Sequence, residues 1–361
     1  MLQQTIKPDR TLIVDGPASV QLVSGSAEVF GHRIKQSKIL VREGKRLPFF
    51  VSAEALFNIS LGAGASIQEI EGNTIPPSWT KPVEAVLALE KRPAVVMVIG
   101  QADSGKSSLC TYILNKLVEA KFRVSVLDGD LGQSDIGPSA TVGYAVTSKH
   151  VTELYNLRLV NAFFTGVTSP VRAIAKTVEG YTAMMNEILQ RQVDFVVVNT
   201  DGWVSGDDAV TYKTSLVKEL KPDIVVAVQV GDELAPLIAN LESNLIVVEP
   251  SSALNPRSPE KRKSLREMSY TRYLKESKVQ CYPMSQLTVE PRNAVPKDLE
   301  PQKSILVGVY GSDSKFLGIG VLREFNPTRK VLKVRTAVSA KPKRLVIGKV
   351  RVNEKIQELE N

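Results

Sequence analysis

The segment Gly100-Gln-Ala-Asp103-Ser104-Gly105-Lys106-Ser107-Ser108 fits the spacing G-x-x-x-x-G-K-[ST], with an apolar run before it and a helical pattern after it. That spacing suits a chain wrapped around phosphate. Gly100 and Gly105 let backbone N–H groups approach phosphate oxygens with no Cβ in the way, and the helix N-terminus adds its dipole. Lys106 is placed to reach the β- and γ-phosphates, and Ser107 to offer a hydroxyl to Mg²⁺. The expected cofactors are ATP or another NTP, with Mg²⁺.

A second cluster follows in Asp128-Gly-Asp130-Leu-Gly-Gln133, at the end of the run 123–127. In an open α/β sheet the end of the strand beside a phosphate loop faces the γ-phosphate. A carboxylate there can take the proton of an attacking hydroxyl or help hold the metal, so Asp130 is read as a catalytic and metal-binding residue. A guanine-specific GTPase would carry N-K-x-D after a later strand, where this chain reads Asn199-Thr-Asp-Gly202. A ParA/MinD-type ATPase would carry a lysine where Gln101 stands. Both absences favour a kinase.

These residues need a scaffold. Apolar runs at 94–99, 123–127, 194–198, 223–230 and 244–248 alternate with helical patterns at 107–121 and 173–191. Near-continuous valine and isoleucine in the runs predicts strands buried on both faces, hence a doubly wound parallel sheet. Residues 1–82 read differently, with short alternating runs separated by glycine, as a small β-sandwich-like domain. Its last stretch, 73–82, is proline-rich and reads as a stiff connector. Residues 83–285 form the expected kinase domain, and 286–361 a C-terminal β-rich domain whose charged last residues are expected to fray.

Asn255-Pro-Arg257-Ser258-Pro259 begins a further helix, with serine at the N-cap and proline at N1. Arg262 and Arg266 stand four apart on one face of it. Planar guanidinium groups suit the charge that develops on a transferring phosphoryl group.

The composition bounds the rest. The 361 residues carry 43% hydrophobic and 23% charged residues, as a globular chain of two or three domains should. No apolar run is long enough to span a bilayer, and no signal peptide is read at the N-terminus, so no membrane partner is expected and the location is read as cytoplasmic. Two cysteines, Cys110 and Cys281, fit a reducing compartment, and with two histidines they are too few for a Cys/His zinc site. The net charge of +8 and pI near 9.3 make a polyanion an eligible partner.

Together the motifs resemble the P-loop RNA 5′-hydroxyl kinases, the family of the kinase subunit of the eukaryotic mRNA cleavage/polyadenylation and tRNA-splicing machinery. The resemblance rests on Gly25-Ser-Ala-Glu-Val-Phe-Gly31, the P-loop with Asp103, Asp130-Leu-Gly-Gln133, Gly166-Val-Thr168-Ser-Pro170 and Asn199-Thr-Asp-Gly202-Trp203. It implies nucleotide contacts from Gly100, Asp103, Ser104, Gly105, Lys106, Ser107 and Ser108. Asp130 would activate the 5′-hydroxyl, Gln133 and Trp203 would contact the terminal nucleotide, and Thr168 would clasp its first phosphate. The helix near 258–274 would be a lid, with Lys106, Asp130, Arg262 and Arg266 as catalytic residues. RNA 5′-OH ends, with DNA ends also eligible, are the expected acceptors, and RNA-processing proteins the expected partners. The competing readings are an NTP-binding scaffold with little turnover and a kinase for a small molecule.

Overall fold

The computed structural model describes residues 1–241, 244–291, 304–326 and 328–359. Three sheets follow one another along the chain. The first is all antiparallel, and its spine is the long strand Arg46–Leu61. The sequence pattern divides this strand into two runs because 52–54 are exposed. There it passes from pairing with Arg10–Asp15 to pairing with Leu2–Ile6, so the inward alternation lapses at the changeover. Leu12, Val14, Phe49 and Phe57 fill the core of this sheet and are fully buried.

The segment 73–82 is a docked element rather than a free connector. A short 3-10 turn leads into the helix Thr80–Leu87, and Trp79 is fully buried, donating from Nε1 to the Glu249 carbonyl at 2.8 Å. Its ring packs on Tyr112 of the helix Lys106–Glu119. Fixing a proline-rich stretch this way costs little entropy, because proline has already restricted the backbone.

The central sheet has the strand order Leu159–Phe164, Thr141–Thr147, Val124–Asp128, Phe195–Asn199, Ala94–Gly100, Ile224–Val228 and Leu245–Val248. The last five are parallel, as the apolar runs imply. The first two extend the sheet in antiparallel fashion, which the sequence reading does not anticipate. Their mixed, partly polar sequence lacks the continuous apolar character of a strand buried on both faces. Helices cover both faces. Lys106–Glu119 shares a core with the N-terminal sheet, whereas Ile174–Leu189 and Asp207–Leu220 share a second core on the other face. Among the described residues no helix is long and apolar enough to cross a membrane.

The third sheet draws in Lys278–Pro283, which the sequence reading leaves with the kinase domain, and continues through Thr288–Glu290, Ser304–Tyr310, Phe316–Asn326, Val331–Thr336 and Arg344–Val352. It packs against the antiparallel extension. Phe164 N donates to the Tyr310 hydroxyl at 2.6 Å, and Phe316 N donates to Asn161 Oδ1 at 3.0 Å. The charged C-terminal residues up to 359 do not fray. Ile356 is buried, Leu359 N donates to the Arg351 carbonyl, and Glu358 accepts from Arg266 of the helix Pro259–Tyr273. Residues 360 and 361 lie outside the described residues.

Candidate active site

A cleft of about 590 Å³ opens at the carboxyl ends of the parallel strands, where ligands of doubly wound sheets sit. One wall is the phosphate loop. The strand Ala94–Gly100 is buried throughout, and the helix begins at Lys106. Between them Asp103 (φ 60°) and Gly105 (φ 97°) take left-handed conformations, which turn the loop back on itself. Lys106 is nearly buried and donates from Nζ to the Gln101 carbonyl at 2.7 Å, so the ammonium already lies across the loop. Burial lowers the pKa of this lysine, and the nearby Asp130 carboxylate opposes that shift. Asp103, Gly105, Lys106, Ser107 and Ser108 line the cleft. Gly100 lies beneath it at the strand end, and Ser104 is buried with an Oγ that has no partner among the described residues.

The two carboxylates after the next strand separate in role. Asp128 is fully buried and accepts from Asn199 Nδ2 (2.9 Å), Ser134 Oγ (3.0 Å) and the backbone N–H groups of Asp135 and Ile136. Burial and the neighbouring Asp135 and Asp130 charges push its pKa up to about 6. Asp128 thus organises the loop that follows it. Asp130 instead lines the cleft, its Oδ1 accepting from the N–H groups of Gly132 and Gln133. Burial raises its pKa, while Lys106 and the two N–H donors pull the other way. A raised carboxyl pKa brings a group closer to the pKa expected of a proton acceptor at neutral pH.

Asn199 ties the two walls together. Its Nδ2 donates to Asp128 and also to Ser107 Oγ at 3.3 Å. The loop after it is pressed onto the phosphate loop, since a Cβ on Gly202 would lie 2.5 Å from the Ala102 Cα. Trp203 lines the cleft, stacked on Tyr212 with ring centroids 5.7 Å apart. Beneath them lies a group that the sequence reading misses. The fully buried Lys213 donates to Asp201 Oδ2 at 2.9 Å, Tyr212 donates its hydroxyl to the same oxygen at 2.8 Å, and Trp203 N donates to Asp201 Oδ1. The available signal was Lys213 standing within the apolar stripe 209, 212, 216 and 220 of its helix.

Gln133, Thr168, Arg262 and Arg266 also line the cleft. The helix expected near 258–274 runs Pro259–Tyr273 with Ser258 as its N-cap, accepting from Lys261 N as the sequence implies. Arg262 Nη2 donates to Asp103 Oδ2 at 2.7 Å, joining this helix to the phosphate loop, and its Nε is buried without a partner among the described residues. Gln133 Nε2 donates to the Arg262 carbonyl, so the helix also rests on the loop after Asp130. Arg266 does not share that contact; its guanidinium is paired with Glu358.

The N-terminal sheet contributes a basic turn, between the strands Lys38–Val41 and Arg46–Leu61, that the sequence reading leaves out of the site. Arg42 and Lys45 line the cleft and pair with Asp135 and Glu153 of the central domain. Tyr155 is sandwiched between Arg42 and Arg272, with guanidinium carbons 4.1 and 3.9 Å from its ring centroid.

Comparison with known proteins finds relatives by sequence and by fold. The family model described as mRNA cleavage and polyadenylation factor CLP1 P-loop matches residues 100–276. A polyribonucleotide 5′-hydroxyl-kinase of Pyrococcus abyssi is 32% identical over 215 residues, 60% of this chain and 60% of that protein. One of Pyrococcus furiosus is 24% identical over 338 residues, 79% of this chain and 95% of that protein. A solved Clp1p, in complex with Pcf11p, has the same fold across 97% of this chain and 98% of its own, with a TM-score of 0.77 at 12% identity. The matched region holds most of the motifs that build the cleft, and over it the chain is similar to the CLP1 P-loop family.

Proposed function

We propose that this chain is a polyribonucleotide 5′-hydroxyl kinase, moving the γ-phosphate of ATP or another NTP onto the 5′-OH of RNA, with DNA ends as further acceptors. The reading is carried by one observation. A single cleft holds a phosphate loop on one wall and Asp130, Thr168 and Trp203 on the other, beneath a lid bearing two arginines.

In this scheme the backbone of the loop, with Ser104 and Ser108, grips the NTP, and Lys106 leaves the Gln101 carbonyl for the phosphates. Ser107 and Asp130 present the oxygen donors that Mg²⁺ prefers, and Mg²⁺ commonly takes only one or two protein ligands beside the phosphates. When bound it would offset charge on the transferring group. Trp203 stacks the terminal base, Gln133 contacts the same nucleotide, and Thr168 holds its phosphate. The 5′-oxygen attacks the γ-phosphorus in line as its proton passes to Asp130, and the bond to the β-phosphate oxygen breaks to release NDP. Arg262 and Arg266 stabilise the charge spread over the transferring oxygens.

The test is transfer of labelled γ-phosphate to RNA 5′-OH oligonucleotides, with DNA oligonucleotides and free nucleosides in parallel. Lys106→Ala should abolish labelling. Tight NTP binding with no labelling of any polynucleotide end would overturn the reading in favour of a scaffold, and preference for free nucleosides would make it a small-molecule kinase. By extension from the solved Clp1p, which is bound to Pcf11p, an RNA-processing protein partner is part of the proposal.

A further inference from the structure

The lid helix has little apolar anchorage. Of its residues Pro259–Tyr273, Tyr270 is the buried one. What fixes it is a set of polar contacts at successive turns. Its first half is tied to the phosphate loop through Arg262 and Asp103. Its second half is tied to the far end of the chain, where the backbone turns back on itself after Arg344–Val352.

Glu358 is the centre of this second tie. Arg266 donates from Nε to Oε1 at 2.7 Å and from Nη2 to Oε2 at 2.6 Å, and the buried Tyr270 donates its hydroxyl to Oε1 at 2.9 Å. Glu358 N in turn donates to Glu267 Oε1. The pair is largely shielded, with side-chain exposures of 18% and 11%. A forked, shielded contact of this kind restrains a guanidinium far better than an exposed ion pair does. It occupies the Nε/Nη2 edge of Arg266 and leaves the opposite edge, with two N–H donors, for an anion. Arg266 itself lines the cleft.

We infer that Glu358 is a positioning residue for phosphoryl transfer, fixing the Arg266 guanidinium so that its free edge meets the transferring group. This rests on the kinase reading above. It assigns the last segment of the C-terminal domain a place in the reaction: an arginine on a thin lid is useful only if its rotamer is set in advance, and Glu358 sets it.

The experiment is a double-mutant cycle read in the RNA 5′-OH assay, on wild type, Glu358→Ala, Arg266→Ala and the double variant. Glu358→Ala should lower kcat about tenfold with NTP and acceptor KM within about twofold. In the Arg266→Ala background the same change should cost less than about twofold, because Glu358 acts through Arg266. Glu358→Gln, which keeps the shape and one acceptor oxygen, should restore part of the loss. If Glu358→Ala fails to fold, Tyr270→Phe removes only the hydroxyl and should give a smaller loss that likewise vanishes without Arg266. Equal losses in both backgrounds would reduce Glu358 to a structural tether, and a rise in kcat would make it a brake; either overturns the inference while leaving the kinase standing. A wild-type chain that transfers no phosphate would overturn both.

Discussion

The two walls of the cleft are made in different ways. The proposed donor wall is one stretch of chain, 100–108, and most of its chemistry is backbone: N–H groups, a helix end and a turn set by Asp103 and Gly105. The proposed acceptor wall is gathered from the ends of separate strands. Asp130 and Gln133 follow Val124–Asp128, Thr168 follows Leu159–Phe164, and Trp203 follows Phe195–Asn199. A backbone-made wall is stiff as soon as its turn forms. A wall made of side chains needs support from behind, and here the support is a second layer of buried polar groups: Asp128 with Asn199, and Asp201 with Lys213 and Tyr212. NTP binding should therefore survive many changes that disable the acceptor side.

The sharpest separation should come at Asp130. Asp130→Asn keeps an oxygen for the Gly132 and Gln133 N–H groups but removes the proton acceptor, so kcat should fall by about 10²- to 10⁴-fold. NTP affinity, measured by titration calorimetry, should change little at saturating Mg²⁺. A matching loss of NTP affinity would mean that Asp130 acts through the Mg²⁺ held with the NTP rather than as the proton acceptor. The next effect is on stability. Lys213→Met leaves the Asp201 carboxylate buried beside the Tyr212 hydroxyl without its counter-ion, which should destabilise the fold by about 3–5 kcal/mol in denaturant unfolding. Adding Asp201→Asn should recover much of that, because the uncompensated charge is then gone.

The same contrast explains what could be read before the fold was known. The donor wall is contiguous, so the spacing of Gly100, Gly105, Lys106 and Ser107 states its geometry outright. Four of the five parallel strands were legible because burial on both faces forces an apolar run, and the edge strand Leu245–Val248 keeps an apolar run although Val247 is exposed. The helix Pro259–Tyr273 was legible from its cap, Ser258-Pro259. The antiparallel strands 141–147 and 159–164 were not, since their polar and glycine residues break up the apolar run although most positions are buried or half-buried. Nor were the long-range ties. Nothing local in Arg42 points to Asp135, 93 residues away, and nothing in Glu358 points to Arg266. Asp128 and Asp130 looked alike in the chain, yet strand register places Asp128 directly beside Asn199, and that pairing draws it into the interior.

On the acceptor wall itself the effects should be smaller. Trp203→Ala removes a stacking surface worth about 1–3 kcal/mol, which should appear as a rise of roughly 5- to 150-fold in acceptor KM, with NTP KM unchanged. A fall in kcat alone, with acceptor KM unmoved, would show that Trp203 only packs on Tyr212.

The smallest effect lies at the edge of the cleft, where Asp135 meets Arg42 and Lys45. Burial alone would raise this carboxyl, but the Lys45 and Arg42 charges outweigh it and bring the pKa down to about 2, from an ordinary 3.8. A carboxylate with a depressed pKa contributes stability that is present above about pH 4 and lost as the pH falls towards 2, on the order of 2 kcal/mol in all. Asp128, raised to about 6, has the opposite sign: its contribution is complete below the ordinary 3.8 and lost as the pH rises through 6. Arg42→Gln should leave the Asp128 response in place and remove part of the Asp135 response. The variant should be less stable than the wild type by about 1 kcal/mol more at pH 5 than at pH 2.5, measured by denaturant unfolding at each pH. A stability gap of constant size across that range would mean that Arg42 acts by packing on Tyr155 rather than through its charge.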